Sequence, residues 1–323
     1  RDGITLNTVC FALGILEMRD DEHMSPEQIL KRAEIACEYR NEHSRFTYTF
    51  FNSDMEARQQ RELAISNSIN QTLRSDGDPS LFLRFQPIAR SADNQIVGFE
   101  ALARYQTEDL GLVSPLEFIP LAEATQMILP LGKRIMSLVF DFALRLKREG
   151  LQDTSVSFNI SAIQLLSESF LADLRQLIEQ TGVNPRNLMI ELTESVFSDN
   201  YAEINKRLDE LKELGIRIAI DDFGTGYSSL ARERELHVDI LKIDRYFIHD
   251  LTRVSPENTL MGDIISMAHK MGHTVIAEGV EWEEQRQYLV EQNCDLFQGY
   301  LFGKPVADDD AIALLIQKNR ERG

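Results

Sequence analysis

From residue 81 onward, short apolar runs alternate with longer amphipathic stretches. The runs are LFLRFQPI (81–88), QIVGFEAL (95–102), SVSFNIS (155–161), LMIELTE (188–194), RIAIDD (217–222), ILKID (240–244), TVIAEGV (274–280) and LFQGYLF (296–302). They are rich in β-branched and aromatic residues and too short for typical helices, which marks them as buried strands. Between them, segments such as PLGKRIMSLVFDFALRLKRE (130–149) and NYAEINKRLDELKELG (200–215) repeat apolar residues at helical spacing. Strands separated by helices imply parallel β-α units. The first two strands have no helix between them and are expected to be antiparallel. About eight strands in about 240 residues suit a closed β/α barrel better than an open sheet, which shares the same periodicity.

The first 80 residues follow another pattern. Residues 4–16, ITLNTVCFALGIL, read as a strand. SPEQ at 25–28 is a capping box, with Ser25 as cap, Pro26 at the first helical position and Gln28 reaching back. Ile29, Leu30, Ala33, Ala36 and Cys37 continue that helix, and RFTYTFF (45–51) is a second strand. The expected layout is a small α+β segment over 1–52, a linker over 53–80 and the barrel over 81–323. The linker is a polar helix ending in the turn-rich SDGDPS at 75–80.

Most barrel strands break into a polar residue at the C-terminal end: Glu100, Asn159, Glu191, the pair Asp221 and Asp222, Lys242, Glu278 and Gln298. From Asn159 onward the intervals are 32, 30, 21, 36 and 20 residues, about one β-α unit each. In a barrel these ends meet on one rim, where active sites are built. Each residue has an ordinary structural reading when taken singly. A strand-end Asp can cap the next helix, a buried Glu can sit in an ion pair, Lys242 can pair at the surface, and Asn159 and Gln298 can satisfy local backbone or buried partners. Taken together, six successive strands ending in compatible groups are hard to explain structurally. Five carboxylates converging without cations would repel strongly. Hard divalent ions, which prefer carboxylate and amide oxygen, relieve that repulsion. Adjacent aspartates could serve two neighbouring ions, which together activate water and clamp a phosphoryl group. The set lacks His and Cys, which argues against a structural zinc site.

Charge changes the picture in one respect. The net charge is −18, from 52 acidic and 34 basic residues. Such a chain repels DNA and anionic lipid, so an anionic substrate needs metal ions or a local basic group. Cys10, Cys37 and Cys294 form no paired framework, as expected of a reducing compartment. No apolar run approaches the roughly 20 residues of a membrane span. The chain begins at Arg1 within an apolar stretch, the start expected of a piece of a longer protein. FGTGYSS (223–229) is a weak phosphate-loop signal, the six histidines lack HExxH spacing, Trp282 is expected to pack a helix start and RERE (232–235) to form a solvated helix face.

The motifs EALAR (100–104), FNIS (158–161), ELTES (191–195), DDFGTGYSSL (221–230), LKIDR (241–245), AEGVE (277–281) and QGYLFGKP (298–305) resemble, in order and spacing, the bacterial EAL-domain phosphodiesterases. The resemblance covers about residues 81–318 and implies an α/β fold, a modified (β/α)8 TIM-like barrel with one antiparallel strand. It implies hydrolysis of cyclic di-GMP to linear pGpG with two Mg2+ or Mn2+ ions, Ca2+ being inhibitory. It implies that Glu100, Asn159, Glu191 and Asp221 are metal ligands and that Asp222 is the ligand of the second metal. Glu278 matches an acid beside metal or water, Lys242 and Gln298 the groups orienting the water, and Glu281 the acid steadying the loop after the paired aspartates. Gln86, Leu102 and Arg104 match substrate contacts. A homodimer formed through the barrel is implied, as is a cytoplasmic location, free or as part of a membrane-bound sensor. The alternative is a silent cyclic di-GMP receptor; a third reading is a barrel metalloenzyme acting on another phosphoester. Ala103, Tyr105, His237 and the charged ARERELHVD (231–239) depart from the family pattern. The first 52 residues resemble, more weakly, the end of a GGDEF-like domain without its signature motif.

Overall fold

The computed structural model describes residues 11–18, 24–39, 46–75, 77–194, 196, 201–224, 236–249, 251 and 260–320. The chain divides into two compact units, Arg1–Arg74 and Ser75–Gly323. In the first, β1 (Phe11–Ile15) and β2 (Phe46–Phe50) pair in parallel, with α1 (Pro26–Glu38) between them in sequence. The Ser25 box forms as expected: Ser25 Oγ accepts from Gln28 N–H, and Gln28 Oε1 accepts from Ser25 N–H at 2.9 Å. The polar helix α2 (Ser53–Arg74) groups with this unit, and the turn at 75–80 with the barrel.

The second unit is a closed ring of eight strands. They are β3 (Leu81–Arg90), β4 (Ile96–Thr107), β6 (Ser155–Asn159), β7 (Leu188–Thr193), β8 (Arg217–Phe223), β9 (Ile240–Ile243), β10 (Thr274–Ala277) and β11 (Leu296–Gln298). β3 closes the ring and runs antiparallel to both neighbours, β4 and β11; the remaining neighbours pair in parallel. A short strand, β5 (Gly111–Val113), hangs on β4 and has no counterpart in the hydropathy pattern, because three residues are too few to show a period.

The helices cover the ring because their apolar faces match it. They are α3 (Pro115–Ala124), α4 (Ile128–Arg148), α5 (Ala162–Leu165), α6 (Phe170–Thr181), α7 (Tyr201–Glu213), α8 (Arg245–His249), α9 (Met261–Lys270), α10 (Glu283–Glu291) and α11 (Asp308–Arg320). α4 buries Leu131, Ile135, Val139 and Phe142, and Phe142 stacks on Phe85 of β3 at 3.7 Å between ring centroids.

Inside the ring, Ile88, Met189, Ala219, Ile240 and Ile276 form a buried apolar layer. Strand alternation puts every second side chain on the same face. Two positions further toward one rim, the same five strands carry Gln86, Glu191, Asp221, Lys242 and Glu278. The apolar layer is thus a buried plug, and the polar set sits directly above it.

The two last strands are shorter than their apolar runs suggest, ending at Ala277 and Gln298. At Gly299 the two chain segments touch: a Cβ there would fall 2.1 Å from the Val280 carbonyl oxygen. Val280 N–H donates to Gln298 O (3.0 Å) and Leu301 N–H to Val280 O (3.1 Å). These contacts tie the segment after Glu278 to the segment after Gln298.

At the opposite rim, His273 is buried just before β10. Burial pushes its pKa below the ordinary 6.5, against the pull of Asp239. The native state therefore holds fewer protons on it than the unfolded state. Its contribution to stability is present above the unfolded value of 6.5 and is lost as the pH falls below it through the lower native-state pKa. His273→Gln is expected to flatten the decline of melting temperature between pH 7 and pH 5; an unchanged decline would remove His273 as its source.

Candidate metal and phosphodiester site

The site is built from strand ends. Gln86 of β3 sits opposite Glu100 of β4 in register, Glu100 opposite Ser157, and Asn159 opposite Glu191. At their centre lies Lys242 of β9, fully buried. Its Nζ is 2.6 Å from Glu278 Oε1, 2.7 Å from Glu191 Oε2, 3.0 Å from Asp221 Oδ1 and 3.5 Å from Glu100 Oε2. Asn159 Nδ2 donates to Glu100 Oε1 at 3.0 Å. Gln298 Nε2 donates to Glu100 Oε2 at 2.5 Å and to Gln86 Oε1 at 3.3 Å. Residues on, or directly after, all eight strands of the ring therefore share one mouth. Lys242, which alone reads as a surface pair, is fully enclosed, as is Glu191.

The paired aspartates needed a backbone device. In a regular strand, neighbours point to opposite faces. In β8 the register to β9 breaks between Ile220 and Phe223, and Asp222 takes a φ of 55°. This irregularity of the bulge kind, with a left-handed residue, brings Asp222 back toward the mouth. One carboxylate oxygen from each of Asp221, Asp222 and Glu278 lies within 4.8 Å of the others. Glu100, Glu191 and Asp221 form a second such group. Asp221 belongs to both.

Lys242 is a permanent cation. Burial acts to lower its pKa, but Asp221, Glu100, Glu191 and Glu278 together hold it well above the ordinary value. One ammonium does not balance the carboxylates around it. Burial and the Glu100 charge push Glu191 well up. Burial, reinforced by Asp221 and Glu100, raises Glu278 to about 8. Burial and Asp221 also raise Asp222. Glu100 moves down: burial opposes this, but Lys242 and donors including Gln298 and Asn159 outweigh it.

The donor set fits hard cations. Glu191 Oε1, Asp221 Oδ1 and Gln298 Oε1 are buried acceptors without a hydrogen-bond donor; the Asp221–Lys242 contact is an ion pair lacking hydrogen-bond alignment. Buried polar atoms left unmatched are costly, and here all three are oxygens at the mouth. The two acidic groups can hold metal.

The other expected residues lie alongside. Leu102 and Arg104 follow Glu100 by two and four positions on β4 and share its face. Arg104 is half-buried, and burial lowers its pKa. Glu281 follows Val280, and its N–H donates to Gln285 Oε1 at 2.8 Å. The loop it was expected to steady, 225–235, lies outside the described residues, as does RERE. At the start of that loop the contact comes from Glu194, whose Oε2 accepts from Gly224 N–H at 3.1 Å. The signal for Glu194 was present as the second acid of ELTES. Trp282, expected to pack a helix start, precedes α10 and is exposed.

Comparison with known proteins places this architecture. A family model described as the EAL domain matches residues 66–305. The cyclic di-GMP phosphodiesterase NbdA of Pseudomonas aeruginosa is 37% identical over 280 residues, covering 87% of this chain and 35% of its own length. The bifunctional diguanylate cyclase/cyclic di-GMP phosphodiesterase MucR of the same organism is 31% identical over 290 residues, covering 88% of this chain and 41% of its own length. The chain thus spans well under half of these curated relatives. Among solved structures, the PaMucR phosphodiesterase in complex with c-di-GMP superposes with a TM-score of 0.71 at 30% identity, covering 77% of this chain and 99% of that one. No helix among the described residues is long and apolar enough to cross a membrane. With a family model matched over most of its length, the chain belongs to the EAL-domain family.

Proposed function

We propose that this chain hydrolyses cyclic di-GMP to linear pGpG with the help of two divalent cations, Mg2+ or Mn2+. The observation that carries the reading is the pair of acidic groups sharing Asp221 at one mouth. In each group three carboxylates converge, and Asp221 suits a bridging ligand. Relatives named as cyclic di-GMP phosphodiesterases over most of this chain's length support the substrate. Glu100, Asn159, Glu191 and Asp221 would hold one ion, and Asp222 with Asp221 and Glu278 the other. Bound there, the ions supply Lewis-acid stabilisation of the phosphoryl oxygens and a more acidic water.

The protein's own groups orient the reaction. Lys242, charged at all working pH, cannot serve as a base; it donates toward the attacking oxygen and keeps Glu191 and Glu278 in place. Gln298 is held by Glu100 and Gln86 with its Oε1 free to accept from the water. Arg104 grips a phosphate oxygen through charge-assisted hydrogen bonds. Attack forms a new P–O bond to the water oxygen and breaks one bridging P–O bond of the ring, and the leaving ribose oxygen gains a proton. Glu194 steadies the start of the loop beyond Asp222.

Purified chain incubated with cyclic di-GMP and Mg2+ or Mn2+ is expected to yield pGpG by chromatography, with turnover falling to background in Glu100→Ala. Tight binding without product would leave the receptor reading instead. A Glu100→Ala variant turning over at the unmodified rate would sink the ligand assignment.

A further inference from the structure

β3 and β4 extend past the catalytic rung. In register, Gln86 faces Glu100, Arg84 faces Leu102, and Phe82 faces Arg104. Alternation places Phe82, Arg84 and Gln86 on one face of β3, and Glu100, Leu102 and Arg104 on the adjoining face of β4. Gln86 reaches the catalytic Gln298 from that face, so Arg84 stands one rung further out on the same wall. The Arg84 guanidinium lies over the Phe82 ring, 5.4 Å from its centroid, a cation–π contact that helps hold it in place.

Because Arg84 faces Leu102 and Arg104 faces Phe82, the two arginines occupy diagonal positions on adjoining strands. After burial, and against the attraction of Glu100, the Arg84 charge lowers the Arg104 pKa. Two arginines thus stand on neighbouring rungs of one wall in a chain of net charge −18. Such a pair is destabilising until an anion bridges it.

We propose that Arg84 is a substrate-anchoring residue that, with Arg104, holds the second, uncleaved phosphate of a cyclic dinucleotide. This rests on the hydrolytic reading above. A cyclic dinucleotide carries two phosphodiesters on opposite sides of one ring, and only one can lie over the acidic groups. The other needs a cationic partner a short way off, along a wall that starts at the catalytic rung. Arg84 is placed there, and fork-shaped donors suit phosphate oxygens. The pair would therefore favour ligands with two phosphates over those with one.

The test compares two ligands by calorimetry in Ca2+: cyclic di-GMP, with two phosphates, and the dinucleotide GpG, with one. Arg84→Ala is expected to weaken cyclic di-GMP binding by about tenfold or more, the size of a lost charge-assisted hydrogen bond, with little change for GpG. Arg84→Lys should recover part of the loss. In steady state the loss should appear in KM far more than in kcat. An unchanged melting temperature and unchanged Mn2+ uptake establish that the variant is folded with its ion groups intact. Equal weakening of both ligands, or of neither, would overturn the assignment. If the unmodified chain neither binds nor cleaves cyclic di-GMP, the hydrolytic reading itself falls, and this inference with it.

Discussion

Asp222→Asn is expected to lose about a thousand-fold in turnover while keeping its stability, and Asp222→Val to lose turnover and stability alike. The two outcomes separate the two roles of this residue. As a charge it belongs to the acidic group with Asp221 and Glu278. Removing a ligand from an ion that stabilises the transition state by several kcal/mol gives a loss on the order of 1,000-fold. As a backbone it holds a φ of 55°. Asn tolerates that conformation nearly as well as Asp, whereas a β-branched residue adds about 1–2 kcal/mol of strain or more. Metal-free Asp222→Asn should be at least as stable as the parent, because a carboxyl crowded by burial and by Asp221 has become neutral. Turnover with Mn2+ and chemical denaturation without ions measure the two effects. Turnover near the parent rate in Asp222→Asn, or equal stability of the Val and Asn variants, would contradict this account.

The second large effect concerns Lys242. Replacing it with Met keeps much of the volume but leaves four carboxylates around an apolar side chain. Breaking a buried pair by removing one partner costs about 3–5 kcal/mol, because the remaining charge is uncompensated. Here several charges are left, so the metal-free Lys242→Met protein should unfold at much lower denaturant concentration. Mn2+ should restore more stability to this variant than it adds to the parent, since the ions then supply the missing positive charge. Turnover should stay low even when the fold is restored. A variant as stable as the parent without ions would mean that the ammonium does not balance the cluster.

What the sequence made legible, and what it did not, follows from the physics of each element. Buried parallel strands are apolar on both faces, so a single Glu, Lys or Gln at a strand end stands out. That is why Glu100, Glu191, Lys242 and Gln298 could be picked out, and why their common mouth followed once the strands closed into a ring. The missing helix between the first two strands gave the antiparallel pair directly. Three features were hidden. β5 is held by pairing with β4 and has no period of its own. The displaced register of β8 is a backbone property, and Asp-Asp reads the same with or without it. Glu194 is visible as the second acid of ELTES, but its hydrogen bond from the Gly224 N–H crosses a loop, and residue spacing does not encode that partner. The capping box at Ser25 was readable because both of its hydrogen bonds are local in sequence.

The inverted strand has a mechanical consequence. Had β3 run with its neighbours, the polypeptide would enter the ring through the floor, with the whole apolar plug between the point of entry and the chemistry. Because β3 runs the other way, its first residue, Leu81, pairs with Tyr105 above the reacting groups, and Gln86 follows only five positions later. A displacement of the backbone at Leu81 would therefore be carried along one continuous strand to the hydrogen bond between Gln86 and Gln298.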